Sequence, residues 1–401
     1  MKQAKLRYFE NKEEFGPIYD WGLIRREFRK LKTPDGLWDP TEADFEHCAY
    51  IMALSTRTGG KTTQGVLFGM IMRKLYGIQI GLIRIHEEQI MPKAISQMLD
   101  TIRSFEGGRY VTFCTNGRWN DIKHSVRDRA FYYCNRDENG DIYETEEEPF
   151  LRMYYLMEYI MHKSSFSAPR MDLVIFDEFI ELVYDEGWAS MLFQWLSTIF
   201  RFRVSTHLMM FANTIRWNSP WFRELEIEKE LRKMKVGEIK VLPAKKGSQI
   251  WVHLFDTPEK KKKLISSWMF GFANPKVAAI VGGENIWELP VVPHIQSSDE
   301  DVYLSQALKI DTGFCLYGVD FVRTPDRGLV ANLHPVTRIR EKDIVLTNGD
   351  IWDTQHRKGR GYGRLPELLQ QLEKRGKLYY SDAEAAADYI QFTATADGKF
   401  Y

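Results

Sequence analysis

The sequence predicts an α/β protein, in which a mainly parallel central sheet carries a phosphate-binding loop and a smaller α+β domain follows at the C-terminal end. Three observations predict this. An apolar run at residues 49–54 leads into Ser55-Thr56-Arg57-Thr58-Gly59-Gly60-Lys61-Thr62-Thr63, and a helical pattern follows with Val66, Leu67, Met70, Ile71 and Leu75 at helix spacing. A second apolar run begins at Asp172 and ends in Asp177 and Glu178. A third, starting at His207, ends in Asn213. Short apolar runs that end in polar residues are the mark of buried parallel strands, whose carboxyl ends bind ligands in open α/β sheets.

Composition sets the bounds. The chain has 401 residues, of which 44% are hydrophobic and 27% charged, enough for a sizeable core and for two domains. Lys and Arg balance Asp and Glu at 55 each, so any contact with nucleic acid must come from local patches. No run of about eighteen apolar residues predicts a membrane span. The start, Met1-Lys2-Gln3-Ala4-Lys5, lacks the apolar stretch of a signal peptide. Cys48, Cys114, Cys134 and Cys315 are scattered without a CxxC pair, which argues against a zinc knuckle or disulfide scaffold and for a reducing compartment.

Taken in order, residues 1–47 are charged and aromatic. Tyr19, Trp21, Phe28 and Trp38 are expected to pack on the core, the other reading being a stack near the adenine. In the loop, backbone N–H groups and the helix N-terminus would face phosphates. Lys61 would reach the β- and γ-phosphates, and Thr62 would offer its hydroxyl to Mg²⁺. Arg57 is a further cation placed for the γ-phosphate. The usual motif opens with Gly, and this one with Ser55. The competing reading is a Gly-Gly turn beside an ordinary surface lysine.

Residues 80–85 read as a strand and 87–104 as a helix. Residues 110–113, 131–134 and 153–157 read as strands, the first two as a hairpin around Asn116-Gly117. The acidic run 144–148 reads as a surface loop. Asp177 would hold Mg²⁺ through water, and Glu178 would polarise the attacking water, a role that needs a positioned carboxylate. The alternative is that both acids cap the next helix. Residues 188–200 read as an amphipathic helix. Asn213, at its strand end, would touch the γ-phosphate or the lytic water, or would simply turn the chain. Arg201 or Arg203 could act as a finger in a neighbour's site, against the base-rate reading of a salt-bridged surface arginine. Asn218-Ser219-Pro220 reads as a helix start.

The series of Ser-Thr-Arg-Thr-Gly-Gly-Lys-Thr, Lys163-Ser164-Ser165, Val174-Ile175-Phe176-Asp177-Glu178-Phe179-Ile180, Arg201-Phe202-Arg203, Ala212-Asn213 and Asn218-Ser219-Pro220-Trp221-Phe222 resembles the DNA-packaging ATPases of phi-twenty-nine-like small tailed phages. These are terminase large subunit analogues, also called encapsidation proteins. The resemblance covers roughly residues 48–225 with motifs in order. It implies a P-loop ATPase domain of the additional-strand, catalytic-glutamate (ASCE) type, in which a strand is inserted between the loop strand and the acidic strand. It implies ATP and Mg²⁺ as cofactors. It also implies a homomeric ring, typically a pentamer, that docks on the capsid portal (connector) and pushes double-stranded DNA inward. A structural RNA is a further candidate partner. The implied setting is the host cytoplasm and, transiently, the portal vertex, with no membrane and no retention in the virion. Carried over, Lys61, Thr62, Asp177 and Glu178 keep the roles given above, Arg57 resembles the loop arginine of terminases, and Asn213 matches the coupling motif.

Beyond residue 225 the signals thin. Residues 224–235 read as a charged helix and 250–255 as a strand. Lys260, Lys261, Lys262 and Lys263 open a helical run, a lid or phosphate-facing patch if not a solvated turn. Residues 285–300 read as a linker. The domain boundaries expected are 1–270, 271–305 and 306–401. Residues 314–322 and 329–333 read as a hairpin of the last domain, where terminases carry an RNase H-like nuclease with clustered carboxylates. Asp320 stands where the first acid would be, and Asp350, Asp353 and Asp382 look like poor partners. The domain is therefore expected to be a degenerate, nuclease-inactive form that binds nucleic acid or the portal. Arg357, Lys358, Arg360 and Arg364, interleaved with Gly and Tyr, suit phosphate contacts and stacking, unless they form a flexible basic loop. The function expected is a DNA-translocating motor. Alternatives are another P-loop NTPase, kinase or helicase-like, and a structural nucleic-acid- or capsid-binding protein with an inactive ATP site.

Overall fold

The computed structural model describes residues 7–8, 17–55, 59–91, 99–103, 108–161, 171–181, 187–200, 206–213, 219–243, 249–255, 300–313, 315–349, 351 and 353–397. The expected sites at Thr56, Arg57, Thr58, Arg201, Arg203 and Lys260–Lys263 lie outside these residues, as do Lys163-Ser164-Ser165, Asn218, Asp350 and most of the expected linker.

Among the described residues ten strands form one sheet. In chain order they are β1 (Tyr50–Ser55), β2 (Ile80–Arg84), β3 (Asp121–Ser125), β4 (Ala130–Arg136), β5 (Ile142–Thr145), β6 (Leu151–Tyr155), β7 (Leu173–Asp177), β8 (His207–Asn213), β9 (Ile239–Pro243) and β10 (Gln249–Leu254). Their spatial order is β9-β10-β1-β8-β7-β2-β6-β4-β3, with β5 paired to β4. From β10 through β6 every pairing is parallel. The hairpins at the two edges are antiparallel. Strand β8 lies between β1 and β7, so the loop strand and the acidic strand are separated by one inserted strand.

Alternation explains why the central strands read as continuous apolar runs. Ile51, Ala53, Leu173, Ile175, Met209 and Phe211 face one cluster. Met52, Leu54, Val174, Phe176, Leu208, Met210 and Ala212 face the other. Both faces are covered, as a parallel sheet requires. Helices α1 (Trp21–Arg29) and α2 (Lys61–Tyr76) lie on the first face, where Tyr19, Trp21, Phe28 and Trp38 are core residues. The aromatics of the N-terminal segment therefore pack, as expected. Phe45 stacks on Trp21 and on Phe68 of α2.

Several expectations are overturned. Residues 110–113 are not a strand: they belong to a short helix, α3 (Arg109–Cys114). Tyr110, Val111 and Cys114 are buried at helical spacing. Asn116 and Gly117 take φ of +55° and +80°, and the Gly117 N–H donates to Thr112 at 2.8 Å. The Asn-Gly pair thus ends a helix instead of turning a hairpin. The hairpin partner of β4 is β3. Of the helix expected over 87–104, the described parts are a 3-10 turn, Glu87–Ile90, and helical residues 99–103. Residues 153–157 divide between β6 and α4 (Leu156–Met161). Part of the expected acidic loop is the exposed strand β5, while Glu146 beyond it pairs with Arg73 at 3.0 Å.

On the second face lie α5 (Gly187–Phe200) and α6 (Pro220–Glu224), the latter with Pro220 in its first turn. The charged helix expected over 224–235 is broken: Glu226 has φ +57°, and α7 (Glu228–Leu231) is one turn long. The break lets Leu225, Ile227 and Leu231 all reach the core.

The second sheet has strands β11 (Val302–Asp311), β12 (Leu316–Thr324), β13 (Gly328–Val336), β14 (Ile344–Thr347), β15 (His356–Lys358) and β16 (Leu378–Tyr380), in the order β15-β14-β11-β12-β13-β16. Strands β11, β12 and β13 are antiparallel, with β12 and β13 the expected hairpin. Strands β14 and β16 add in parallel at either side. Helices α8 (Arg364–Lys374) and α9 (Ala383–Ala396) complete a separate apolar cluster. Arg232, beyond α7, reaches Glu384 of α9 at 2.6 and 3.2 Å and joins the two parts. No helix among the described residues is long and apolar enough to cross a membrane.

Helix α2 presses closely on the sheet through two glycines. A Cβ at Gly65 would lie 2.5 Å from the Phe211 ring, and one at Gly69 would lie 2.5 Å from Ile80. Gly65→Leu is expected to lower stability by about 3 kcal/mol, the upper end for overpacking. The urea unfolding midpoint measures it, and an unchanged midpoint would show that this contact is not tight.

Candidate active site

Four neighbouring strands end at one edge of the first sheet. Strand β1 ends in Ser55, β8 in Asn213, β7 in Asp177 and β2 in Arg84. Parallel register aligns these ends: Asn213 pairs with Ser55, and Phe211 with Asp177. The apolar runs fix the register because a slip of one residue would turn every side chain to the wrong face.

A cavity of about 310 Å³ opens at this edge, lined by Gly59, Gly60, Lys61, Thr62, Asp177, Glu178 and Asn213 among others. Gly60, with φ +65°, is the N-cap of α2, a left-handed conformation that favours glycine. Helix α2 starts at Lys61, so its first N–H groups face the cavity. Lys61 is 7% exposed, which removes the surface-lysine reading, and its Nζ donates to Ser55 Oγ at 2.5 Å. The Ser55 hydroxyl also fills space beneath Gly59, where a Cβ would come within 2.9 Å of it. Ser55 thus gives Lys61 a partner that a glycine could not.

Thr62 Oγ1 donates to Asp177 Oδ1 at 2.7 Å. A hydroxyl and a carboxylate meeting at the cavity are the hard oxygen donors that Mg²⁺ takes together with water and phosphate oxygens. Thr62 and Asp177 therefore fit the metal that the sequence implies. Asp177 is almost fully buried, whereas the Glu178 side chain is 46% exposed. The backbone makes this difference. Glu178 has φ +54°, a conformation that costs an L-residue energy and clusters at functional sites. Immediately behind it, Phe179 is fully buried, and its carbonyl accepts from Trp221 Nε1 at 2.6 Å. The turn therefore points Asp177 inward and leaves Glu178 at the cavity. The two acids do not serve as caps of a following helix in the described residues.

Arg84 is the residue that the sequence did not single out. Its Nη2 donates to Asp177 Oδ2 at 2.6 Å and its Nη1 to Glu178 Oε2 at 2.9 Å. One guanidinium, 12% exposed, thus bridges both acids. The available signal was a lone arginine near the end of the apolar run 80–85, close to the pattern that marked Asp177 and Asn213. Next to it, Gln89 Oε1 accepts from the N–H groups of Ile85 and His86, and its Nε2 donates to Glu181 at 3.0 Å. Burial raises the Glu181 carboxyl above its usual range, and the charge of Glu178 adds to this.

The other expected binding residues lie in the second part of the chain and divide. Lys358 and Arg364 are exposed. Arg357 bonds the carbonyls of Thr354 and His356 and lies over Tyr362. Arg360 is half-buried and pairs with Glu373 at 2.7 Å and with Asp397 at 2.9 Å, so two carboxylates already hold its guanidinium. The expected acids are also apart in role. Asp320 is 3.1 Å from His334, Asp353 is 2.8 Å from His356, and Asp382 caps α9 through the Ala385 N–H. Asp320 holds the His334 imidazole above its ordinary pKa.

No protein-family model matches the chain, and no curated protein matches it. Among solved structures it is similar to the Phi-28 DNA packaging motor, at 15% identity over 90% of this chain and 98% of that chain, with a TM-score of 0.48. It is also similar to the N-terminal domain of the DNA packaging ATPase from bacteriophage phi29, at 16% identity over 56% of this chain and 98% of that one, with a TM-score of 0.39. A third is the large terminase from a thermophilic bacteriophage, at 11% identity over 93% and 86%, with a TM-score of 0.34.

Removing Arg84 leaves the buried Asp177 carboxylate without its cation. Arg84→Ala is expected to cost about 3 kcal/mol of stability, in the range for breaking one side of a buried pair. Arg84→Ala combined with Asp177→Asn should recover part of that loss in urea unfolding. A double variant no more stable than Arg84→Ala would show that the pair is not what holds these strands.

Proposed function

We propose that this chain is an ATP-driven motor subunit that moves double-stranded DNA into a preformed capsid, acting as a ring on the portal. The observation that carries the ATPase part is the meeting of Lys61, Thr62, Asp177 and Glu178 at one cavity, with β8 inserted between the loop strand and the acidic strand. That inserted strand, with a glutamate directly after the strand-end aspartate, is the arrangement named above as ASCE. The DNA-translocating part rests on the order of the sequence motifs.

The chain's own groups perform defined tasks. The loop N–H groups and Lys61 bind the β- and γ-phosphates, for which Lys61 exchanges its bond to Ser55. When bound, Mg²⁺ neutralises charge on the phosphate oxygens, and Thr62 and Asp177 are the residues that would hold it. Glu178 accepts the proton of the attacking water. Arg84 Nη1 holds Oε2 of this carboxylate, which leaves Oε1 to meet the water. Asn213, level with Ser55 at the end of β8, contacts the γ-phosphate or the water.

The domain division 1–270, 271–305 and 306–401 belongs to this proposal, with the last domain contacting DNA or portal through Lys358 and Arg364. Absence of cutting is supported by the separate engagements of Asp320, Asp353 and Asp382. A homopentamer, a finger supplied by Arg201 or Arg203, contacts through Lys260–Lys263, and any structural RNA are likewise carried from the sequence resemblance.

Steady-state ATP hydrolysis is expected to rise with double-stranded DNA. Glu178→Gln should lower turnover about 10²- to 10⁴-fold while ATP still binds. Turnover indifferent to Glu178→Gln would contradict the site. In mixed assemblies of Glu178→Gln chains with Arg201→Ala or Arg203→Ala chains, hydrolysis is expected to return at the site of the arginine variant, which keeps Glu178 and receives its partner's finger; no rescue with either variant removes the finger in trans.

A further inference from the structure

We propose that residues 33–38 form a strap that sets the phosphate-facing N–H groups of the loop, with Leu37 and Trp38 as positioning residues. The strap precedes β1 and does not line the cavity. It nevertheless meets the loop at two points and the first turn of α2 at a third. The Trp38 N–H donates to the Gly59 carbonyl at 2.9 Å. Leu37 packs on Gly60, where a Cβ would stand 2.6 Å from Leu37 Cδ2. Thr33 Oγ1 accepts from Gln64 Nε2 at 3.0 Å, in the first turn of α2.

The first contact fixes a direction. In a trans peptide the carbonyl and the following N–H point opposite ways, and no cis peptide occurs among the described residues. With the Gly59 carbonyl held toward Trp38, the Gly60 N–H is turned away from the strap. The cavity is the side lined by Gly59 and Gly60. A glycine pair is the loosest backbone in the chain's vocabulary, so an outside contact is what selects this orientation. The strap is itself anchored. The Trp38 ring is fully buried, edge-on to Phe211 at 4.9 Å, and Asp39 caps the 3-10 turn Pro40–Glu42. Phe255, just past β10, also approaches Gly59, where a Cβ would stand 3.3 Å from its ring, so the glycines are packed by the sheet as well as by the strap.

The inference rests on the nucleotide-site reading: the strap prepays the ordering of the loop, and its loss weakens phosphate binding without altering the chemical step. The test uses the full chain, a fluorescent ATP analogue with Mg²⁺, and melting temperature measured in parallel. Leu37→Ala should weaken binding and raise KM about tenfold, the worth of one phosphate hydrogen bond, with kcat within twofold. Leu37→Met should restore affinity. Thr33→Ala, a milder change, should weaken binding about threefold. Arg25→Ala loosens the stretch between the strap and β1, at Ala43 and Glu46, away from the loop, and should leave affinity unchanged. Affinity within twofold of the unaltered chain in Leu37→Ala would overturn the strap. So would equal weakening in Arg25→Ala. No binding by the unaltered chain would overturn the nucleotide site, and the strap with it.

Discussion

The hydrogen bond from Thr62 to Asp177 joins the first turn of α2 to the end of β7, and the site is organised about it. The two residues stand 115 positions apart in sequence. They meet because β8 fills the gap between β1 and β7 in register. The same packing brings Lys61 to Ser55 and Arg84 to the two acids. Loop, acid and cation are thus coupled through a single sheet edge, whose stiffness comes from apolar clusters on both faces.

Charge is arranged to match. Two carboxylates and one guanidinium leave an excess of negative charge at the end of β7, beside a loop of N–H groups and a lysine. An anion and a divalent cation are both accommodated there. The left-handed backbone at Glu178 separates the tasks of two adjacent acids, one buried and held, one at the surface of the cavity. Such strain persists only because the flanking residues Asp177 and Phe179 are buried and bonded.

Much of this was legible in the sequence. The strands β1, β2, β7 and β8 showed as apolar runs because both faces of a parallel sheet are buried, and β10 showed by alternation. The loop and the acids were legible from their places at strand ends. What was not legible depended on chain-distant contacts. Arg84 looked like any charged strand end, and only strand order shows that its neighbour is β7. The ion pairs of Arg360 were hidden because Glu373 and Asp397 lie elsewhere in sequence. Residues 110–113 are of the aromatic and β-branched types that suit a strand, but burial at Tyr110, Val111 and Cys114 follows a helix, and Asn116-Gly117 closes it. The strap on the loop was invisible for a further reason: its key donor is a backbone N–H, which no residue type announces.

The central claim is that Asp177 and Thr62 belong to a nucleotide site that depends on a divalent cation. Calorimetric titration of ATP into the full chain, with Mg²⁺ and with chelator, tests it most directly. One ATP should bind per chain, markedly tighter with Mg²⁺, and Asp177→Asn should erase the Mg²⁺-dependent gain while leaving weak phosphate binding through Lys61. Binding of equal strength with and without Mg²⁺, or a gain that survives Asp177→Asn, would contradict it.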